Sequence, residues 1–325
     1  MDATLIAVAG FWGAATGLLL PRAAYRFSVE PEEPWRDACP AGHALTGPGR
    51  GWIGPAVCAS CAVPARPGGT APQPGTDTAV PAGPEPAPDT VVQAGPEPAP
   101  ETVVPAGPEP APETVAPAEP EPGTDTGTSP DLAPGPDTAV RAGPPRYAPG
   151  VLAPAVTVLA CALLAWAVGP RPELAVWLAA APVAVLLCVV DRRVHRLPDA
   201  LTLPLAAAVA LLLGGVALLP GRTGSWTTAL LGGAALGGFY FLLFLINPDG
   251  MGFGDVKLAL ALGVALGWYG WAVLCAGGFA GFLFGAVYGL GLLLLRRAGR
   301  KTGIPFGPFM IAGALLGLVL GGLSA

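Results

Sequence analysis

From residue 151 onward the chain is a succession of apolar runs divided by a few polar residues: 151–168, 174–190, 201–219, 228–246, 256–268, 272–295 and 306–323. Most approach the roughly 20 residues that an α-helix needs to cross hydrocarbon at about 1.5 Å per residue. In lipid every backbone N–H and C=O must be paired within the chain, so such runs are stable only as helices packed on one another. Residues 3–20 form one more apolar run. The expectation is an all-α, polytopic membrane bundle of about eight transmembrane helices, in which 256–268 is the shortest.

Composition agrees with that reading. Of the 325 residues, 52% are hydrophobic and only 12% are charged, against about 25% charged in a soluble globule. Mean hydropathy is +0.57 despite a long polar stretch. The net charge of -5 comes largely from Glu and Asp in that stretch, so it describes a solvated segment and not a binding surface. The lipid bilayer is an expected partner and nucleic acid is not.

Four regions follow from the change of composition along the chain. Residues 1–20 read as a first transmembrane helix, and they lack the basic leader and A-x-A site of a cleaved signal. Residues 21–66 form a Cys-containing segment with Trp35 and Trp52. Residues 67–149 are Pro-rich and carry a repeat (GPEPAPDTVVQA, GPEPAPETVVPA, GPEPAPETVAPA), a composition that cannot bury a core and reads as a disordered linker. Residues 150–325 hold the remaining spans. Basic residues alternate between loops: Arg22 and Arg26, then Arg192, Arg193 and Arg196, then Lys257, then Arg296, Arg297, Arg300 and Lys301. By the positive-inside rule these loops, the Cys-containing segment and the linker face the cytoplasm.

The membrane half has five acidic side chains, Glu173, Asp191, Asp199, Asp249 and Asp255, and the last four fall in loops assigned to the same face. Asp191 follows LLCVV and Asp255 precedes VKLALALGVALG, so both belong at helix ends near the lipid boundary, where an ionisable group is costly and functional by default. Asp199, after Pro198, reads as a helix N-cap, and it and Asp249 read as solvated loop charges. Gly252 and Gly254 allow turns and a close approach beside Asp255. Other proteolytic chemistries fail on inventory. His43 and His195 are the only histidines, without an HExxH. The membrane half offers only Ser225 and Ser324 as serines, both assigned to the face opposite His195.

These residues resemble the type IV prepilin peptidases, aspartyl proteases of the GxGD type. The resemblance rests on DRRVHRLPD from Asp191 to Asp199, LTLP from Leu201, GFGDVKL from Gly252 and IPFGP from Ile304 to Pro308, in the family's order. It implies a catalytic pair, Asp191 and Asp255, needing no cofactor and removing the leader of type IV prepilins or pseudopilins. It also implies a place in the bacterial inner membrane with the active site on the cytoplasmic side. Lys257, Pro305, Gly307 and Pro308 match motif positions and are expected to shape the site. Two neighbouring carboxyls cannot easily both ionise, so one can activate water while the other donates a proton.

Larger family members carry two CxxC pairs and accompany cleavage with N-methylation. Here Cys58 and Cys61 keep one pair, while the other appears as Cys39 and His43. The four read either as a structural Cys3His zinc site or as a vestigial loop. The end of the first span lacks the polar residues of methylating relatives, so methyltransferase activity is not expected. Two other readings compete with the protease. An ion-coupled transporter using Asp191 and Asp255 would need its charges near the midplane, and a non-catalytic scaffold would leave the ordered motifs unexplained.

Overall fold

The computed structural model of the protein describes residues 2–30, 33–55, 57–62, 151–248, 250–295 and 305–325. The repeat linker, Asp249, Ile304 and the basic residues from Arg296 to Lys301 lie outside the described residues.

The described residues are helical: α1 (Ala3–Phe27), α2 (Pro48–Gly51), α3 (Ala59–Ala62), α4 (Leu152–Val168), α5 (Glu173–Val194), α6 (Asp199–Val216), α7 (Trp226–Ile246), α8 (Phe253–Gly267), α9 (Trp271–Leu294) and α10 (Gly307–Ser324). A single bridge, Ala38 to Ala44, is the only extended pairing among them. Six helices are long and apolar enough to cross a membrane, and α4 is a shorter apolar helix. Apolar side chains point outward as well as inward. Leu211, Ile246 and Phe279 are about 70% exposed, at 74%, 71% and 69%, while Trp177, Tyr240 and Trp268 are closed off inside. Helices apolar on every side belong in lipid.

The short run at 256–268 proves to be the centre of the bundle. Helix α8 packs against α6, α7, α9 and α10, and Leu258, Ala259 and Leu266 have at most 1% of their surface exposed. Ringed by protein, it does not have to present a full bilayer length to lipid, which accounts for its 15 residues. Its seam with α7 is glycine on glycine: a Cβ at Gly263 would stand 2.5 Å from the Gly232 carbonyl oxygen. Close backbone approach of this kind drives helix association where lipid is as apolar as leucine. The α1–α4 seam is built alike, since a Cβ at Gly17 would lie 2.6 Å from Cα of Pro154.

Three local outcomes differ from expectation. Helix α1 continues through Pro21 to Phe27. Gly54 docks its backbone at the proline, its N–H donating to the Leu19 carbonyl and its carbonyl accepting from the Arg22 N–H, both at 3.2 Å. Helix α5 runs past Val190, so Asp191 sits inside its last turn and not beyond its end. Arg192 and Arg193 in that turn suit the negative end of the helix dipole. Asp199 is not a cap: Pro198 holds the N-cap position and Asp199 is the first residue of α6.

At the end of the bundle away from Asp191, the start of α5 meets the loops joining α6 to α7 and α8 to α9. Glu173 is fully buried and accepts a hydrogen bond from Thr223 Oγ1 at 2.6 Å. Nearby, Trp177 donates to the Tyr269 hydroxyl at 3.1 Å. This fifth acid is therefore a tie between helix ends.

Candidate active site

A cleft of about 780 Å³ opens at the opposite end and is lined by both Asp191 and Asp255. The end of α5 supplies the first and the start of α8 the second, and the two charges lie within electrostatic range of each other. Asp191 is 4% exposed and Asp255 8%, so each carboxyl presents only an edge to the cleft.

Asp191 is fixed by α10. The N–H of Gly307, at the first turn of that helix, donates to Asp191 Oδ2 at 3.0 Å. A side chain there would displace the carboxyl, because a Cβ at Gly307 would lie 2.8 Å from that oxygen. Asp255 is set by the turn opening α8, in which its N–H donates to the Gly252 carbonyl at 3.0 Å. Gly254 behaves as expected: a Cβ there would meet Leu197 Cβ at 2.9 Å, so the glycine lets α8 press on the loop before α6. Gly252 does not. It has ordinary backbone angles, and a Cβ would meet Asp255 Oδ2 at 3.7 Å and the Gly254 nitrogen at 4.0 Å, both ordinary contacts. Its effect is to keep the space before that carboxyl open.

Lys257 bridges helices. Its Nζ lies 2.6 Å from Asp199 Oδ1 and 4.7 Å from the centre of the Phe253 ring. Asp199, read from the sequence as a solvated loop charge, is 62% exposed yet paired, and it lines the cleft. Pro305 is on the cleft wall, whereas Pro308 borders a separate apolar cavity of about 230 Å³ among α4, α5, α6, α8 and α10. Of the six residues expected to shape the site, Gly252, Gly254, Lys257 and Pro305 line the cleft, Gly307 lies behind it and touches a carboxyl directly, and Pro308 stands apart.

The sequence reading missed several residues of this cleft. His195 lines it in a left-handed conformation, φ 50°, and closes α5 by donating its N–H to the Asp191 carbonyl at 2.8 Å. Phe306 also lines it and packs on Phe282 and Tyr240, with ring centres 5.3 and 6.2 Å away. One wall comes from the chain just after α1, with Phe27, Glu30, Glu33 and Trp35. The only trace of that wall in the sequence is a cluster of acids and aromatics directly after the first apolar run.

Cys39, His43, Cys58 and Cys61 gather in the loop after α1, with every ligand atom within 4.8 Å of the others. Cys61 Sγ lies 3.8 Å from Cys39 Sγ and 3.3 Å from His43 Nδ1. Tetrahedral zinc bound at about 2.3 Å to sulfur and 2.0–2.1 Å to nitrogen requires separations of this order. Desolvation, then contact with Cys39 and Cys58, pushes the Cys61 thiol up to about 11, while backbone N–H groups led by that of Cys61 hold Cys58 below its ordinary value. The cluster could hold a metal ion.

Residues 178–294, which include α8 and both aspartates, match the sequence profile of the type IV leader peptidase family. The resemblance drawn from the motifs is borne out. Proteins named "Prepilin leader peptidase/N-methyltransferase" are similar over part of the chain. That of Aeromonas salmonicida (strain A449) is 37% identical over 142 residues, covering 43% of this chain and 47% of the relative. That of Aeromonas hydrophila is 35% identical over 173 residues, 52% of each chain. That of Bacillus subtilis (strain 168) is 38% identical over 99 residues, 30% of this chain and 38% of the relative. The chain thus spans about half the length of the first two relatives, and less of the third. No solved structure matches.

Proposed function

We propose that the protein is a membrane-embedded aspartyl endopeptidase that removes the leader of type IV prepilins or pseudopilins, with Asp191 and Asp255 as its catalytic pair. The observation that carries this reading is the single cleft, at one end of an apolar bundle, that both carboxyls line. Midplane charges, which a transporter would need, are not what the helix positions of these two residues suggest.

The chemistry follows from the pair alone. An ionised carboxyl draws a proton from water, whose oxygen attacks the scissile carbonyl carbon while the protonated carboxyl donates to its oxygen. The tetrahedral adduct then collapses as a proton passes to the leaving amine. The Gly307 N–H holds Asp191 in place for this. Lys257, Pro305, Gly252 and Gly254 shape the cleft, and no cofactor enters the reaction.

The same proposal assigns the site to the cytoplasmic face of the bacterial inner membrane, because the helix ends around the cleft carry Arg22, Arg26, Arg192, Arg196 and Lys257. It retains the division into 1–20, 21–66, 67–149 and 150–325. It gives the Cys39, His43, Cys58 and Cys61 cluster a structural zinc ion, supported by the donor set and spacing, and it includes no methyl transfer.

Co-expression with a prepilin, reading leader removal by the shift in mass, tests the assignment. Wild type should process the precursor, while Asp191→Asn and Asp255→Asn should each leave it intact. Processing by either variant would refute the pair.

A further inference from the structure

Helix α5 holds a proline, Pro182, near its middle and Asp191 in its last turn. Pro182 has no N–H, so the carbonyl four residues earlier, that of Leu178, lacks its usual partner within the helix. In hydrocarbon a carbonyl freed in this way has to be satisfied by a neighbouring element. The neighbour is α1, where the indole N–H of Trp12 donates to the Leu178 oxygen at 2.9 Å. Trp12 is itself 46% exposed on a helix apolar and long enough to cross a membrane. Two polar groups that would each be costly in lipid thus satisfy one another.

Helix α1 grips α5 on both sides of the proline. Before it stands the Trp12 bond to Leu178. After it, Ala24 of α1 packs with Leu186 and Val190 of α5 in a buried cluster. The first span therefore lies along α5 as a splint across Pro182. Elsewhere the same stretch is loosely packed, since Ala180, Ala181, Ala184 and Cys188 line the apolar cavity of about 230 Å³. Asp191 follows Pro182 by nine residues, or about 14 Å along the helix. A change of about 5° in the direction of α5 at the proline carries Asp191 through about 1 Å. That is enough to part its carboxyl from the Gly307 N–H, which donates to it at 3.0 Å.

We infer that Trp12 is a positioning residue for Asp191: its hydrogen bond to the Leu178 carbonyl fixes the course of α5 across Pro182, and with it the place of Asp191 in the cleft. Trp12 acts only through α5 and takes no part in bond breaking. It lies outside the residues that match the family profile, whereas Leu178 and Pro182 lie within them. This rests on the peptidase reading and adds to it a residue of the first span that governs the geometry of the site.

The test pairs two substitutions in the full chain, reconstituted in nanodiscs. Trp12→Phe keeps a ring and removes the donor, and Pro182→Ala gives the Leu178 carbonyl an N–H within its own helix. With a peptide spanning the cleavage site of a prepilin, Trp12→Phe should lower kcat roughly tenfold and leave KM unchanged. Added to Pro182→Ala, the same substitution should change kcat by less than about twofold, because the carbonyl it served is already paired. Hydrogen exchange read by mass spectrometry gives a measure that needs no cleavage. The Gly307 amide should exchange several-fold faster in Trp12→Phe than in wild type, and at equal rates in Pro182→Ala with and without Trp12→Phe. An unchanged Gly307 rate in Trp12→Phe, or equal losses in both backgrounds, overturns the inference. The expected exchange pattern in a chain that cleaves no prepilin counts against the peptidase reading alone, and cleavage indifferent to Trp12 counts against the inference alone.

Discussion

At Gly307 the lack of a side chain and the presence of an N–H act on the same oxygen of Asp191. Replacing it by Ala puts a methyl group 2.8 Å from that oxygen and turns the carboxyl out of line, and a misplacement of about 1 Å in a reacting group costs on the order of a hundredfold in rate. Gly252→Ala is the contrast, because its methyl group would meet nothing nearer than Asp255 Oδ2, at an ordinary 3.7 Å. Initial rates of prepilin cleavage should fall much further for Gly307→Ala than for Gly252→Ala, and the reverse order would show that the hydrogen bond to Asp191 is not what positions it. The sequence made Asp191 and Asp255 legible because charge is rare in apolar surroundings. It did not make the Gly307 contact legible, since donor and acceptor are 116 positions apart and a glycine in a motif does not reveal which backbone atom matters. Asp199 misled for a related reason: a carboxylate after a proline suits a cap, but a lysine from α8 reaches it first.

The elements themselves were readable wherever an apolar run needed only a length to become a helix, as in α4, α7, α9 and α10. What failed was the detail at their ends, where neighbours decide. Helix α1 outlasts its proline because Gly54 docks beside it, and α5 carries a charged turn because its last residues cap on His195. Packing between elements yields a sharp expectation at the α7–α8 seam. Gly263→Val forces β-branched atoms onto the Gly232 carbonyl, and overpacking of this sort costs about 1–3 kcal/mol or more. Thermal unfolding in detergent should show a clear drop for Gly263→Val and little change for Gly291→Val on α9, where a Cβ would meet nothing within 4 Å. The loop after α1 yields another. Purified protein should carry about one zinc per chain by elemental analysis, and Cys58→Ser or His43→Ala should abolish it, because three ligands no longer close a structural site. A chain free of metal in the wild type would favour the vestigial loop.

For the whole molecule, the class of fold followed from the spacing of apolar runs, and the alternation of basic loops anticipated which helix ends gather around the cleft. Hidden from any linear reading was the participation of the segment after α1 in that cleft, because it depends on α1 lying against α4 and α5. That arrangement has a further consequence. The contact of Gly13 and Gly17 with Thr157 and Pro154 joins stretches of chain on either side of the long Pro-rich insert, and it is made of backbone surfaces that already match in shape. Continuity of the polypeptide is then dispensable for assembly. Residues 1–66 and 150–325, translated as separate products in one cell with an affinity tag on the shorter, should be recovered from membranes as a pair, and Gly17→Leu should part them. The molecule is in this sense a two-piece lock whose halves are keyed to each other by the absence of side chains.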